Sequence, residues 1–204
     1  MYHSLENFAR AKFVGSLCPV ALGGLPMLTI RQAVAADAEL IHLLISELAR
    51  YEQEEAAVKV SAADLAEQMG SAKCPFECFI AEADGVAAGF ALYFFTYSTW
   101  EGTRTLYLED LFVRPQFRGE KVGLALMRAL ASRAEQQNCA RFEWSVLDWN
   151  QLAINFYDRI GAAPVDGWTR YRMSGESLHS LARSDARSTL CAAVAAGTAL
   201  SATS

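Results

Sequence analysis

The chain is predicted to fold as an α/β sandwich in which helices cover a mixed sheet, and three observations carry that prediction. Strand-like and helix-like runs alternate along most of its length, in the order βααβββαβαβ. Two apolar, aromatic-rich runs flank Asp84-Gly85, a dipeptide that favours a tight hairpin. A strand-like run ending at Val113 leads through a glycine-bearing loop straight into a helix.

Taken in order, residues 28–32 read as a short strand. Residues 37–51 read as an amphipathic helix, because Leu40, Ile41, Leu44, Ile45 and Leu48 recur at helical spacing on one face. Ser61-Ala-Ala-Asp64 resembles a capping box, whose hydroxyl and carboxylate satisfy the open backbone donors of a short second helix. Residues 76–82 and 86–96 are the two strands of the hairpin. A loop over 97–104 precedes a strand over 105–113, which Arg114-Pro115 stops. Gly119 and Gly123 flank the start of a helix reaching about Asn138, and residues 141–147 return to strand. Residues 150–160 form a helix ended by Gly161, and residues 170–173 are read as a last short strand.

The 204 residues are 52% hydrophobic, 20% charged and 11% aromatic, enough apolar side chain for a real core. That excludes the disordered and fibrous classes. No stretch approaches the roughly 18 consecutive apolar residues of a membrane span. Lys and Arg number 18 against 23 Asp and Glu, a net charge of −5. The sign disfavours nucleic acid as a partner and suits a cationic ligand. Five cysteines (Cys18, Cys74, Cys78, Cys139, Cys191) stand at irregular spacings, and none of the three histidines (His3, His42, His179) lies beside Cys74 and Cys78. That ligand shortage argues against a metal site and for free thiols in a reducing cytoplasm.

Residues 1–26 read as a non-folded leader or an upstream start. Gly15, Pro19, Gly23 and Gly24 interrupt the apolar stretch that follows Arg10 and Lys12, and no cleavage site closes it. Residues 27–181 are the expected single domain. Residues 182–204, rich in Ala, Ser and Thr, are expected to be a disordered tail.

The segment most informative about chemistry runs from Tyr107 to Leu130. A helix N-terminus presents unsatisfied N–H donors and a partial positive field, suited to a pyrophosphate when an arginine stands beside it. Arg118-Gly119-Glu120-Lys121-Val122-Gly123 resembles the acetyl-CoA-binding motif of the GNAT superfamily of N-acetyltransferases, written Gln/Arg-x-x-Gly-x-Gly/Ala. Lys121 stands where that family usually has its first glycine, which implies an ordinary φ at this position. FALYFFTYSTW (residues 90–100), YLEDLFV (107–113), DWNQLAINFYDRIGA (148–162) and LARYEQEE (48–55) are similar to the diamine, or spermidine/spermine, branch of the superfamily.

The resemblance implies a GNAT-type fold, with a mixed, mostly antiparallel central sheet flanked by helices. It also implies acetyl-CoA as co-substrate, no metal, and a homodimer. For Glu109 the residues alone leave two readings, a solvated or arginine-paired acid and a proton acceptor for the attacking amine. The resemblance implies the second. Tyr157 is by its residue type either core packing or a proton donor to the departing thiolate, and the resemblance implies the donor. Asn150 reads as a helix cap, to which the resemblance adds a contact to the pantetheine arm. Backbone groups of Leu111, Phe112 and Val113 are implied to bind the same arm, where the strand splays from its neighbour. Glu52, Glu54 and Glu55 form a negative patch, as do Glu109 and Asp110. Such a run is a solvated face or a cation site, and the resemblance assigns Glu52 and Asp110 to distal ammonium groups. Trp100 and Trp149 are either packing or cation-stacking walls of the same channel. Three readings follow: acetylation of a small diamine, polyamine or lysine-like amine by direct attack in a ternary complex; acetylation of a protein or drug amine; or an acetyl-CoA sensor without chemistry.

Overall fold

A computed structural model of the chain describes residues 27–184. The expected leader, and the expected tail beyond residue 184, lie outside the described residues. Two compact units divide at Asp148 and Trp149.

The first unit holds one five-stranded sheet. Its strands are β1 (Leu28–Gln32), β2 (Glu77–Ala83), β3 (Val86–Ser98), β4 (Thr103–Val113) and β5 (Arg141–Trp144), lying side by side in chain order. The first three pairings are antiparallel and the β4–β5 pairing is parallel. The sheet is therefore mixed and mostly antiparallel, as the sequence led us to expect. Asp84 and Gly85, both at positive φ, make the tight β2–β3 turn.

Helices α1 (Ala38–Glu52) and α2 (Ala62–Gly70) cover one face. Ile41, Leu44 and Leu65 are buried there with Cys78, Ile80, Phe90, Leu92 and Phe112. The capping box at Ser61 forms as read, with Ser61 Oγ accepting from Asp64 N–H and Asp64 accepting from Ser61 N–H. Helix α3 (Val122–Gln136) belongs to the opposite face. There Arg133 donates to Glu77, and the buried Tyr93 hydroxyl donates to the same carboxylate at 2.8 Å.

The second unit contains α4 (Gln151–Arg159) and α5 (Gly175–Arg183). The strand expected over residues 170–173 does not form: these residues lie in no strand or helix, and Tyr171 is 90% exposed. A strand exists only through its neighbours, and none pairs with this segment among the described residues. The helix α5 that follows was not anticipated and runs through Arg183. Strand β5 is also shorter than the expected 141–147, since pairing with β4 stops at Trp144. No helix of the described residues is long and apolar enough to cross a membrane.

Candidate active site

The site begins with an irregularity in β4. Leu92 of β3 pairs with Asp110, but the next residue, Tyr93, pairs with Leu108. Glu109 is the extra residue, a β-bulge. Side chains alternate with a period of two, so one inserted residue reverses the alternation beyond it. Leu106 and Leu108 pair with Phe95 and Tyr93 on the α3 face, whereas Asp110 and Phe112 pair with Leu92 and Phe90 on the α1 face. The bulge thus turns an acid into the α1 layer and leaves Glu109 itself exposed where the two halves of the strand meet.

The same point marks the end of pairing on the other side of β4. The parallel ladder with β5 runs from Thr105–Arg141 to Leu108–Trp144 and stops. From Glu109 to Val113 no strand pairs with that edge among the described residues, which leaves Leu111, Phe112 and Val113 on the splayed stretch. Arg118 Nε donates to the Val113 carbonyl at 3.1 Å.

Three of the expected acids are brought together. Burial, then the charges of Glu109 and Glu52, push the Asp110 carboxyl up to about 6. Glu52, in the last turn of α1, is itself raised by burial and by the neighbouring Glu54 charge. Like charges this close disfavour joint ionisation, and a cation placed among them would relieve that cost. Glu55 stands apart in an exposed turn. Trp100, 81% exposed, sits in the β3–β4 hairpin loop. The strand from Thr103 to Asp110 separates it from the acids by roughly 20 Å, so the structure does not bring Trp100 to them within one chain.

Between β4 and α3 the chain makes a short turn and then a tight loop. The Arg118 guanidinium lies 4.7 Å above the centre of the Tyr51 ring. Gly119 and Lys121 both have left-handed backbone, at φ +87° and +64°. The ordinary φ expected for Lys121 is therefore corrected. The loop keeps the curl that a glycine usually supplies, and an exposed lysine occupies it. Among the described residues no side chain caps the N-terminus of α3. Arg118, Lys121 and those N–H groups fit an anionic diphosphate in sign and position, with Val122 buried behind them and Gly123 in the first turn. Glu120 opposes them with one buried carboxylate oxygen that has no hydrogen-bond partner among the described residues.

In the second unit, Asn150 caps α4, its Oδ1 accepting from Ala153 N–H at 3.2 Å. Tyr157 lies on the same helix with its ring 5.4 Å from that of Phe156. Burial pushes its hydroxyl up to about 12, so it stays protonated at neutral pH. Gly161 at φ +89° ends the segment as expected, and Trp149 precedes it, largely exposed.

Sequence reasoning missed the bulge and the role of Tyr51. A signal for the bulge existed: Leu106, Leu108 and Phe112 share one parity with Asp110, and an acid on a buried parity is anomalous. For Tyr51 no signal existed, because its helical spacing reads as core.

The acetyltransferase (GNAT) family model matches residues 40–162. Thialysine N-epsilon-acetyltransferase of Mus musculus is 37% identical over 164 residues, covering 75% of this chain and 96% of the mouse protein. Spermidine/spermine N(1)-acetyltransferase-like protein 1 of Homo sapiens is 35% identical over 163 residues, 75% of this chain and 23% of the human one. Among solved structures, an integron cassette protein from the mobile metagenome of V. cholerae superposes with a TM-score of 0.65 at 31% identity, covering 77% of this chain and 98% of that one. The chain belongs to the acetyltransferase (GNAT) family and is an N-acetyltransferase.

Proposed function

We propose that the chain transfers the acetyl group of acetyl-CoA to a primary amine of a small cationic substrate, a lysine-like amino acid, diamine or polyamine, by direct attack in a ternary complex. The observation that carries this reading is the acidic group Glu52, Glu109 and Asp110, gathered at the point where β4 loses its β5 partner. Relatives named for thialysine and for spermidine/spermine supply the substrate class.

Acetyl-CoA supplies the activated thioester. Arg118, Gly119, Glu120, Lys121, Val122 and Gly123 form its diphosphate loop. Open backbone groups of Leu111, Phe112 and Val113, with Asn150, hold its pantetheine arm. One of those N–H groups stabilises the oxyanion that develops on the acetyl carbonyl. Glu109 takes the ammonium proton, directly or through water, so that the neutral nitrogen attacks. As the C–S bond breaks, Tyr157 gives its proton to the thiolate. Glu52 and Asp110 hold the distal charge, with Trp149 as a cation-stacking wall; Trp100, at the far end of the β3–β4 hairpin, is too distant in the same chain to join them. No cysteine lies beside a histidine that would activate it, which favours direct transfer over a covalent enzyme intermediate. The reading includes a homodimer working in the cytoplasm with no metal, nucleic acid or membrane partner. Residues 27–181 are proposed as its acting domain.

CoA release from acetyl-CoA, measured with putrescine, spermidine, spermine, lysine, thialysine and a simple monoamine, tests the proposal. Turnover is expected with the dibasic amines above the monoamine, and Tyr157→Phe is expected to lower kcat about 100-fold with little change in amine KM. Acetyl-CoA binding without turnover on any of these amines would reject it in favour of a protein or drug amine as acceptor, or of a sensor.

A further inference from the structure

The last turns of α1 touch the β4–α3 segment at two places, Glu47 against Arg114 and Tyr51 against Arg118. Arg114 Nε and one of its terminal nitrogens donate to the two oxygens of Glu47, each at 2.8 Å. Its other terminal nitrogen donates to the Ala87 carbonyl. Four residues further along both segments, the Arg118 guanidinium stacks on Tyr51. Next to Tyr51, Glu52 acts on the charge of Asp110. Two partners spaced by four on a helix face the same way, so Glu47 and Tyr51 meet Arg114 and Arg118 as a ladder. The upper rung is the consequential one. Arg118 belongs to the donor loop, Glu52 to the amine acids, and Glu52 is the chain neighbour of Tyr51, whose ring holds Arg118.

We propose that Tyr51 is a positioning residue that couples the two substrates: by stacking on Arg118 it fixes the donor loop and the turn of α1 that carries Glu52 as one rigid piece. That role presupposes the acetyl-transfer function proposed above. Donor binding draws Arg118 towards phosphate and settles the loop. Through the ring it also settles Glu52 against Asp110. Amine binding orders the same turn from the other side. Coupling of this kind is reciprocal, each ligand tightening the other by the same factor. A guanidinium–ring contact of this exposure supports a factor of about three.

The measurement is calorimetric binding of CoA to the full chain with and without the best amine of the panel, and of that amine with and without CoA. The wild type is expected to show about threefold mutual tightening. Tyr51→Leu is expected to bind CoA about threefold more weakly and to lose the tightening, whereas Tyr51→Phe, which keeps the ring, retains both. A merely structural role for Tyr51 would lower the melting temperature and leave the ratio of affinities unchanged. Arg118→Gln removes the cation while sparing the core and is expected to lose the tightening as well, so the test survives a poorly folding Tyr51→Leu. Unchanged coupling in both variants of an active enzyme overturns the role of Tyr51 alone, as does loss of coupling in Tyr51→Phe. A wild type that neither binds CoA nor acetylates any amine overturns the acetyl-transfer reading itself.

Discussion

Lys121 holds a left-handed conformation at φ +64°, immediately before the first turn of α3. Among non-glycine residues, Asn and Asp enter this region most readily because their short polar side chains bond locally, and a lysine gains nothing from it. The conformation costs about 1 kcal/mol relative to glycine. It persists because the loop must double back between Gly119 and α3. Lys121→Gly is expected to raise unfolding stability by up to about 1 kcal/mol. It also removes a cation from the diphosphate loop, so acetyl-CoA KM is expected to rise, most visibly at low salt. Denaturant titration and KM measured at two ionic strengths read the two effects separately. A lower acetyl-CoA KM in the variant would show that the side chain obstructs the loop rather than serving it.

At the scale of elements, the β3–β4 pair carries the site, and its tightest point is Gly89. A Cβ built there would sit 2.3 Å from the Phe112 carbonyl oxygen, a backbone atom with little room to move. Gly89→Ala is expected to destabilise the protein by about 3 kcal/mol through overpacking. It is also expected to raise acetyl-CoA KM, because Phe112 belongs to the stretch of β4 that has no β5 partner. Thermal melting and KM check this, and a variant with wild-type stability would contradict it.

The elements of the first unit were largely legible in the sequence, for a local reason. Helical spacing in α1, the Ser61 capping box and the Asp84-Gly85 turn each act within a few residues. What depended on distant partners was not legible. Residues 170–173 have no ladder partner among the described residues, and the early end of β5 depends on where β4 bends away. The site divides in the same way. Glu109, Asp110 and Arg118 stand out as residue types in a motif, whereas the bulge and the Tyr51–Arg118 stack require the register of a sheet and the placement of a helix.

The molecule as a whole carries a net charge of −5, and part of that charge is concentrated in acids that oppose one another. The Asp110 carboxyl titrates at about 6 in the folded chain against an ordinary 3.8. A raised carboxyl means that the folded state holds its proton more tightly than the unfolded state. This group therefore favours folding most below about pH 4, and that contribution is lost as pH rises through about 6. The loss is on the order of 2 kcal/mol. Asp110→Asn is accordingly expected to stabilise the protein at pH 8 and to change little at pH 4, which melting temperatures at the two values would reveal. Amine binding runs the opposite way, since a cation needs the ionised acid. Amine KM is expected to fall as pH rises from 5 to 7 in the wild type and to lose that dependence on Asp110 in the variant.

The bulge makes Glu109 a supernumerary member of its strand. Leu108 and Asp110 face opposite layers across Tyr93 and Leu92, as adjacent residues of a plain strand would. Excision of Glu109 would therefore keep Leu106 and Leu108 on the α3 face and Asp110 and Phe112 on the α1 face, and would remove only the local kink and twist that the extra residue adds. The gene can lose the proposed proton acceptor by substitution, or by deletion of its codon, and keep both layers as they are. The weave of the sheet runs past this position without using it, which leaves it to chemistry.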